Sequence, residues 1–364
     1  MGLRHGSLRR LAAALVAVVV TLGLVEVVLR LAVPPSASQV LRGLHRAVPD
    51  QAWLYELVPG ERRSDPTTGI EYAVDQAGFR DRARDRAKPD GAFRIAVIGD
   101  SVTFGYGVAL DATFAARLEQ ALASSRGERT FEVLNLGVSG YNPYTEAALL
   151  RGVGLGYAPD LVLVQFCIND LNDPTLHFDA STMHALGDIP DAAFPDPDTR
   201  TPGTASLPEP LGRACRVCTM LCDAIGPARP LDEMRAALAP HDDPSEQEMA
   251  WLAGLYSTMA SDVRARGGEL AVVAFPYQTQ LAPNGRDAVQ RKLRALGERT
   301  GITVIDLLPA FRAAAGVAGA GPLFLDMWHP TARGHQVAAE ALYRALACAG
   351  LLPVVTVSCD PAAG

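Results

Sequence analysis

The sequence lacks any stripe of lysine and arginine that could neutralise a run of nucleic-acid phosphates. Its 33 basic and 40 acidic residues give a formal net charge of −7 over 364 residues. Affinity for nucleic acid depends on a concentrated basic surface. We therefore expect no nucleic-acid partner.

Three nucleotide-binding or nucleophile motifs are also absent from the turn GDSVTFGYG at residues 99–107, which follows the apolar run FRIAVI. A P-loop requires G-x-x-x-x-G-K-[ST] and a dinucleotide turn requires G-x-G-x-x-G, and neither spacing occurs here. The G-x-S-x-G turn of α/β-hydrolases is excluded because Thr103 stands where its second glycine should be. What is left is Ser101 at the start of a strand-to-helix turn, where backbone N–H groups can stabilise an oxyanion.

The first 33 residues differ in composition from the rest of the chain. The segment MGLRHGSLRR carries arginines and no acidic residue, and residues 11–25 carry no charge. A helix over residues 11–33 would be roughly 34 Å long, enough to cross a bilayer. The preceding arginines predict a cytoplasmic N-terminus, so we expect a single-pass anchor in the cell membrane and an extracytoplasmic (periplasmic or extracellular) remainder. A cleaved signal peptide, which would make the protein secreted, is the alternative.

Cysteine is scarce, with six residues in the whole chain. Three of them lie close together at residues 215–222, and Cys348 and Cys359 flank the last apolar run. In an exported protein such cysteines indicate disulfides rather than a metal site, although the pairing cannot be derived from the sequence. Cys167 lies in an apolar run, which predicts a buried free thiol.

Beyond residue 92, short apolar runs alternate with longer helical patterns. Strands are predicted at residues 94–98, 132–136, 161–166, 269–275 and 302–305. Helices are predicted at residues 113–123, 144–154, 246–266, 286–300 and 331–349. Apolar strands alternating with helices predict a parallel sheet covered on both faces. The expected fold is therefore a doubly wound, three-layer α/β/α fold of flavodoxin type with about five strands.

Composition divides the chain into four parts: an anchor at residues 1–33, a linker and N-terminal extension at 34–92, the α/β domain at 93–350 and a C-terminal tail at 351–364. Within the extension, DQAGFRD at residues 75–81 suggests a turn that docks on the main domain. Residues 171–245 are rich in proline and lack periodicity, and a segment this long is usually functional. Because it leaves the carboxyl end of a strand, where ligands of open α/β sheets bind, we expect a lid or substrate-recognition insertion.

Chemically competent residues follow several of the predicted strands. A serine nucleophile needs a base within reach and a group that orients this base. His329, in FLDMWHPTARGH, is expected at the same sheet edge as Ser101, and Asp326 could accept its imidazole N–H. Gly137 follows the second strand, where its backbone N–H can approach a ligand closely, and Asn169 follows the third, where its carboxamide can donate to an oxyanion. Their shared edge predicts an active site.

These segments resemble, in order, the four sequence blocks of the SGNH hydrolases, also called GDSL esterases. The resemblance is carried by GDS at 99–101, the glycine of NLGVSGYN, the asparagine of IND and the D-x-x-H of DMWH. It extends over about residues 93–348. The long insertion departs from the family pattern and leaves the identity of the substrate open.

The resemblance implies a role for each residue. Ser101 would attack an ester carbonyl, His329 would act as general base and then acid, and Asp326 would fix the imidazole tautomer. The oxyanion would be held by the backbone N–H groups of Ser101 and Gly137 and by the side chain of Asn169. Neither a metal nor a cofactor is expected.

The expected activity is hydrolysis of an O-acyl ester, short-chain such as acetyl, on a carbohydrate, envelope polymer or metabolite. An O-acyltransferase with the same triad, in which a sugar hydroxyl replaces water, is the alternative. A catalytically silent glycan-binding module is a third possibility. Asp100, next to the nucleophile, is expected to organise the loop rather than to act as a second acid.

Overall fold

The computed structural model describes residues 3–32, 41, 43–48, 50–124, 129–171, 242–316, 319–353 and 359. Helix α1 (Leu3–Ala32) contains the stretch Ala12–Leu29, which is long and apolar enough to cross a membrane. None of that stretch is buried against the rest of the protein. A membrane anchor and a signal sequence share this length and composition.

Two short antiparallel hairpins follow α1 in the N-terminal extension. Strand β1 (His45–Ala47) pairs with β2 (Tyr55–Leu57), and β3 (Arg62–Ser64) pairs with β4 (Glu71–Ala73). The sequence did not predict these strands, because three residues are too few to display the alternation of a strand. Several apolar side chains of the extension belong to the core of the main domain: Leu44, Tyr55, Leu57, Tyr72 and Phe79.

A parallel five-stranded sheet forms the centre of the main domain. Its strands are β5 (Phe93–Ile98), β6 (Phe131–Asn135), β7 (Leu161–Phe166), β8 (Glu269–Ala274) and β9 (Thr303–Asp306). They lie in the order β6-β5-β7-β8-β9. Every strand boundary agrees with the sequence prediction to within one residue, and the predicted parallel sheet is confirmed. The apolar runs read clearly because these strands are covered on both faces.

Helices cover both faces of the sheet, which confirms the three-layer architecture. They are α2 (Ser101–Phe104), α3 (Phe114–Ala123), α4 (Pro143–Gly152), α5 (Glu246–Arg264), α6 (Ala288–Thr300), α7 (Leu308–Ala315) and α8 (Ala332–Cys348). Helices α3, α7 and α8 pack in one group, and α4, α5 and α6 pack in another. Helix α7 was not predicted, because it begins two residues after β9 and has only eight residues.

The strand order reverses direction at the centre of the sheet. Strand β5 lies between β6 and β7, so the connections from β5 and from β7 leave toward opposite sides. In open α/β sheets, ligands bind at the carboxyl ends of the strands where this reversal occurs. Ser101 follows β5 and Asn169 follows β7. The topology therefore places both residues at the reversal.

Cysteines join the end of α8 to the C-terminal tail. Cys348 and Cys359 form a disulfide, while Cys167 is a buried free thiol, as predicted. The cysteine cluster at 215–222 and most of the predicted insertion, residues 172–241, lie outside the described residues.

Candidate active site

Ser101 is the first residue of α2, directly beyond β5. Asp100 caps this helix: its Oδ1 accepts a hydrogen bond from the N–H of Val102 at 2.9 Å, and its backbone oxygen accepts from Phe104. A capping side chain of this type fixes where a helix begins. The Ser101 side chain is therefore held at a defined point beyond the strand. Within the described part of the chain, the backbone N–H of Ser101 donates to no acceptor.

His329 and Asp326 lie in the loop before α8. Oδ1 of Asp326 accepts from the N–H groups of Trp328 (3.0 Å) and His329 (2.8 Å). The loop is closed by the hydrogen bond from the N–H of Leu325 to the backbone oxygen of His329. Asp326 therefore organises the backbone that presents the imidazole.

The three predicted triad residues form one continuous hydrogen-bonded chain. Nε2 of His329 lies 2.8 Å from Oγ of Ser101, and Nδ1 lies 2.6 Å from Oδ2 of Asp326. A carboxylate can only accept a hydrogen bond, so the ring proton of His329 lies on Nδ1. The lone pair of Nε2 then faces the serine hydroxyl. This is the arrangement by which a histidine takes the proton of an attacking serine.

The charge of Asp326 is stabilised in this geometry. Burial alone would raise its pKa, but attraction to His329 and the hydrogen bonds from His329 and Trp328 outweigh burial. The net effect holds the pKa of this carboxyl below its ordinary value of 3.8. Asp326 is therefore ionised at neutral pH and can balance a positive charge that forms on the imidazole.

Asn169, just beyond the end of β7, reaches the turn that carries Ser101. It belongs to a single 3₁₀ turn, Ile168–Leu171, in which Oδ2 of Asp170 accepts from the N–H of Cys167 at 2.8 Å. Nδ2 of Asn169 donates to Oδ2 of Asp100 at 2.8 Å. An amide nitrogen carries two hydrogens, so this bond fixes the carboxamide plane and leaves the second hydrogen for another acceptor.

Gly137 lies close to α2, but its N–H already has a partner. The N–H of Gly137 donates to Oδ1 of Asn135 at 3.0 Å, and the Nδ2 of Asn135 donates to the backbone oxygen of Thr103. A Cβ on Gly137 would stand 2.4 Å from the backbone nitrogen of Phe104. The close packing under α2 therefore explains why a glycine is needed here. The N–H of Gly137 is not left free for a ligand.

Gly140 is a residue that sequence reasoning did not single out. It has a φ of +83°, which favours glycine, and it is partly exposed where Gly137 is buried. Within the described residues its N–H donates to no acceptor, and the nearby bond from the N–H of Val138 to Gly99 O keeps this segment beside the nucleophile turn. The second glycine of GVSG was the signal available in the sequence.

Three carboxyl groups are buried together beside these elements. Burial raises the pKa of Asp100 and of Asp170, and Asp100 raises the pKa of Asp170 further. Burial, followed by the charges of Asp170 and Asp100, raises the pKa of Glu146 well above its ordinary value. Among the described residues, neither oxygen of the Glu146 side chain has a hydrogen-bond partner. An unpaired buried charge is costly, so this site favours the protonated Glu146 side chain.

An aromatic ring covers one side of the His329 imidazole. The rings of Tyr106 and His329 have centroids 4.4 Å apart and planes inclined by 39°. Tyr106 is partly exposed, whereas the exposed fraction of His329 is only 2%.

In the described ranges, no group of three or more histidine, cysteine, aspartate or glutamate side chains is arranged to hold a metal ion.

One protein family and several solved structures are similar to this chain. The sequence model of the GDSL-like Lipase/Acylhydrolase family matches residues 97–337. No curated protein sequence matches the chain. An alpha/beta hydrolase enzyme, LAE5, from the metagenome of Lake Arreo, Spain, is 19% identical, with 71% of this chain and 97% of that chain covered and a TM-score of 0.43. A catalytic mutant of an acetylxylan esterase from Geobacillus stearothermophilus is 15% identical, with 74% and 99% covered and a TM-score of 0.45.

The family match spans more than half of the chain and contains every predicted site residue, from Ser101 to His329. The chain therefore belongs to the GDSL-like lipase/acylhydrolase family and is a serine hydrolase that acts on carboxylic ester bonds.

Proposed function

We propose that this protein is an extracytoplasmic esterase that hydrolyses short-chain O-acyl groups, such as acetyl, from a carbohydrate, an envelope polymer or a metabolite. The observation that carries the proposal is the unbroken chain from Ser101 Oγ through His329 to Asp326, with distances of 2.8 and 2.6 Å. A serine aligned with an oriented imidazole is the requirement for acyl transfer to an enzyme.

The proposed reaction has two halves. Oγ of Ser101 attacks the ester carbonyl while Nε2 of His329 takes the hydroxyl proton, and the imidazolium then returns this proton to the departing alcohol. The acyl group remains on Ser101 as an ester. A water molecule attacks this acyl-enzyme with His329 again as base, and release of the carboxylic acid restores the serine hydroxyl. Asp326 stays ionised and balances the imidazolium in both halves.

The proposed oxyanion site takes its donors from three strand ends. The N–H of Ser101 and the second Nδ2 hydrogen of Asn169 are two of them. For the third we propose Gly140 in place of Gly137, because the N–H of Gly137 is donated to Asn135 while no described residue accepts from the N–H of Gly140. Each donor of this kind typically contributes on the order of 3 kcal/mol to the transition state.

The proposed location outside the cytoplasm rests on two features. Helix α1 carries an exposed apolar stretch of membrane-spanning length preceded by arginines, and the positive-inside rule would then export residues 34–364. The disulfide between Cys348 and Cys359 is of the kind that persists in an oxidising compartment. In this layout, residues 93–350 form the catalytic domain, residues 171–245 its substrate-recognition insertion and residues 351–364 its tail. The proposed substrates are O-acylated molecules of that compartment.

A comparison of three full-length proteins tests the proposal. Wild type, Ser101→Ala and Ser139→Ala would be purified in detergent and given p-nitrophenyl acetate, p-nitrophenyl octanoate and an acetylated sugar, with products identified by mass spectrometry. Ser139 is a matched control, because it is a buried serine near the site whose hydroxyl has no partner in the described structure. We expect wild type and Ser139→Ala to release acetate and Ser101→Ala to be inactive.

Two outcomes would contradict the proposed esterase function. Equal turnover by wild type and Ser101→Ala would remove the mechanism. Transfer of the acetyl group to an added sugar, with little free acetate, would make the protein an acyltransferase with the same triad.

A further inference from the structure

The N-terminal extension reaches the loop that follows the nucleophile helix through one buried arginine. Arg80, in the GFRD turn, is fully buried. Its guanidinium donates to the backbone oxygens of Phe104 (2.9 Å), Gly105 (2.6 Å) and Val108 (2.7 Å). One side chain of the extension therefore binds both ends of loop 104–108.

This arginine differs from an ordinary buried ion-pair residue. Within the described residues no carboxylate pairs with Arg80; its charge faces backbone oxygens and lies over the rings of Tyr72 (4.5 Å) and Phe104 (5.1 Å). Burial lowers the pKa of Arg80 to about 10, so the side chain is charged at neutral pH. Burying an unpaired cation is costly, and here the compensation comes from carbonyl groups of the loop.

Tyr72, also in the extension, binds the middle of the same loop. Its hydroxyl accepts a hydrogen bond from the N–H of Gly107 at 3.0 Å. Its ring stacks on Phe104, with centroids 5.7 Å apart and planes inclined by 11°. Contacts from the extension thus hold the loop on both sides of Tyr106.

Loop 104–108 makes some backbone hydrogen bonds of its own: the N–H groups of Gly105 and Tyr106 donate to the oxygen of Ser101 (3.0 and 2.9 Å), and the N–H of Val108 donates to the oxygen of Gly105 (3.3 Å). Gly105 and Gly107 both have positive φ, at +84° and +73°, and glycines leave the backbone free to adopt other conformations. Between these two glycines lies Tyr106, whose ring packs on the imidazole of His329 at 4.4 Å. The contacts form a continuous path from Arg80 through the loop to the catalytic base.

We infer that Arg80 is a positioning residue of the esterase: by fixing loop 104–108 it holds Tyr106 against His329 and keeps the imidazole aligned between Ser101 and Asp326. This inference rests on the proposed function. Nε2 of His329 has to face Ser101 in one step and the leaving alcohol in the next, so a small tilt of the ring reduces the rate of both. Misplacement by about 1 Å from a remote change can cost on the order of 100-fold. The extension is thereby part of the catalytic unit.

Arg94 provides a matched control for a purely structural role. It is the other large, fully buried arginine of the described chain, and it too binds backbone oxygens, including that of Tyr157 at 2.7 Å. Arg94 lies in β5, at the end of the strand opposite to Ser101. It also pairs with Glu132. Loss of either arginine should destabilise the fold, but of the two only Arg80 contacts loop 104–108.

The test compares steady-state kinetics of full-length variants with p-nitrophenyl acetate, well below the unfolding temperature of each. We expect Arg80→Met to lower kcat by about 10- to 100-fold with little change in KM. Arg94→Met should lower the unfolding temperature while keeping kcat within about twofold of wild type. Arg94 is distant from the candidate site and shares no partner with it, so its loss should act on stability independently of the catalytic residues. Equal kcat losses in the two arginine variants would overturn the inference.

A double-mutant cycle tests the proposed path. If Arg80 acts through Tyr106, the kcat loss of the combination Arg80→Met/Tyr106→Ala should be close to the larger single loss, whereas independent effects would multiply. Multiplying losses would overturn the inference. If Arg80→Met does not fold, Tyr72→Phe keeps the ring and removes only the acceptor for the N–H of Gly107. We expect a kcat loss for Tyr72→Phe that also fails to multiply with Tyr106→Ala, and an unchanged kcat would count against the path.

Ser101→Ala, measured in parallel, separates the two possible failures. If wild type is no faster than Ser101→Ala, the proposed function fails and the positioning role falls with it. If wild type is active and Arg80→Met matches Arg94→Met, the inference alone fails.

Discussion

The side chain of Asn169 donates a hydrogen bond to Asp100 across 2.8 Å. The other oxygen of Asp100 accepts from the N–H of Val102 in the nucleophile helix. One carboxylate thus joins the proposed oxyanion donor at the end of β7 to the turn that carries Ser101 at the end of β5. Support of this kind fixes a functional side chain through a neighbour that does not itself contact the substrate.

Removal of the Asn169 carboxamide and removal of the Asp100 carboxylate that orients it should have related effects on kcat. Asn169→Ala is expected to lower kcat by about 10²- to 10³-fold, because one oxyanion donor is lost. Asp100→Asn keeps the Asn169 amide but weakens its orientation, and a loss on the order of 10-fold is expected. The two losses should not multiply in the double variant, since both act on one group. Steady-state kinetics with p-nitrophenyl acetate measures this, and Asp111→Asn, at an exposed aspartate, is the control.

The acid of the triad can be tested by an isosteric change. Asp326→Asn replaces the acceptor facing Nδ1 of His329, so the tautomer that leaves Nε2 free is no longer favoured. We expect kcat to fall by roughly 10²- to 10⁴-fold. Asp262→Asn removes a surface carboxylate that pairs with Arg151 and should leave kcat unchanged. A kcat for Asp326→Asn close to that of wild type would show that another group orients the imidazole.

Gly137 should be intolerant of a side chain for steric reasons. A Cβ there would stand 2.4 Å from the nitrogen of Phe104 and 2.7 Å from Thr103, so Gly137→Ala has to displace α2. We expect a clear loss of thermal stability and of activity. Gly254→Ala is the opposite case, because a Cβ in this exposed position of α5 meets nothing within 4 Å; it should stabilise the fold by about 0.5–1 kcal/mol. Calorimetric unfolding temperatures of the two variants test this contrast.

Glu146 should make stability depend on pH. Burial raises its pKa above the ordinary value of 4.5, so the folded state favours the protonated form. For such a group, stability is fully present below the ordinary pKa and is lost as pH rises toward the folded-state pKa. Glu146→Gln mimics the protonated form at every pH. Its stability relative to wild type should therefore increase with pH, by at most about 1.4 kcal/mol per unit.

Urea unfolding at pH 5 and at pH 8 measures this difference. Glu340→Gln, at an exposed glutamate of α8, should show no such trend. A constant difference between wild type and Glu146→Gln at the two pH values would mean that Glu146 is ionised in the folded protein.

The sheet could be predicted from the sequence because of its burial. Strand β7 is buried at all six positions, so the run LVLVQF has no alternation and no charge to obscure it. Strands β1 to β4 could not be predicted, since each has three residues and β3 is exposed throughout. Their position depends on Tyr72 and Phe79 packing into the main core, which local sequence does not reveal.

The candidate site could likewise be predicted from the sequence only in part. Ser101 and Asn169 could be predicted because their side chains carry chemistry and follow strand ends, and Asp326 and His329 because the D-x-x-H spacing lies just before the last helix. Backbone donors have no such signature: a glycine can be selected for close packing, as at Gly137, or for a positive φ, as at Gly140. The partner of the Gly137 N–H is the side chain of Asn135, and only the three-dimensional contact identifies it.

The most direct test of Ser101 as the activated nucleophile is covalent labelling of the full-length protein with a fluorophosphonate. The serine oxygen would displace fluoride and form a stable bond to phosphorus, and peptide mass spectrometry would locate the adduct. The triad predicts a single adduct on Ser101 in wild type, no adduct in Ser101→Ala and slow labelling in Asp326→Asn. An adduct on another serine, or labelling of Ser101→Ala at the wild-type rate, would contradict this assignment.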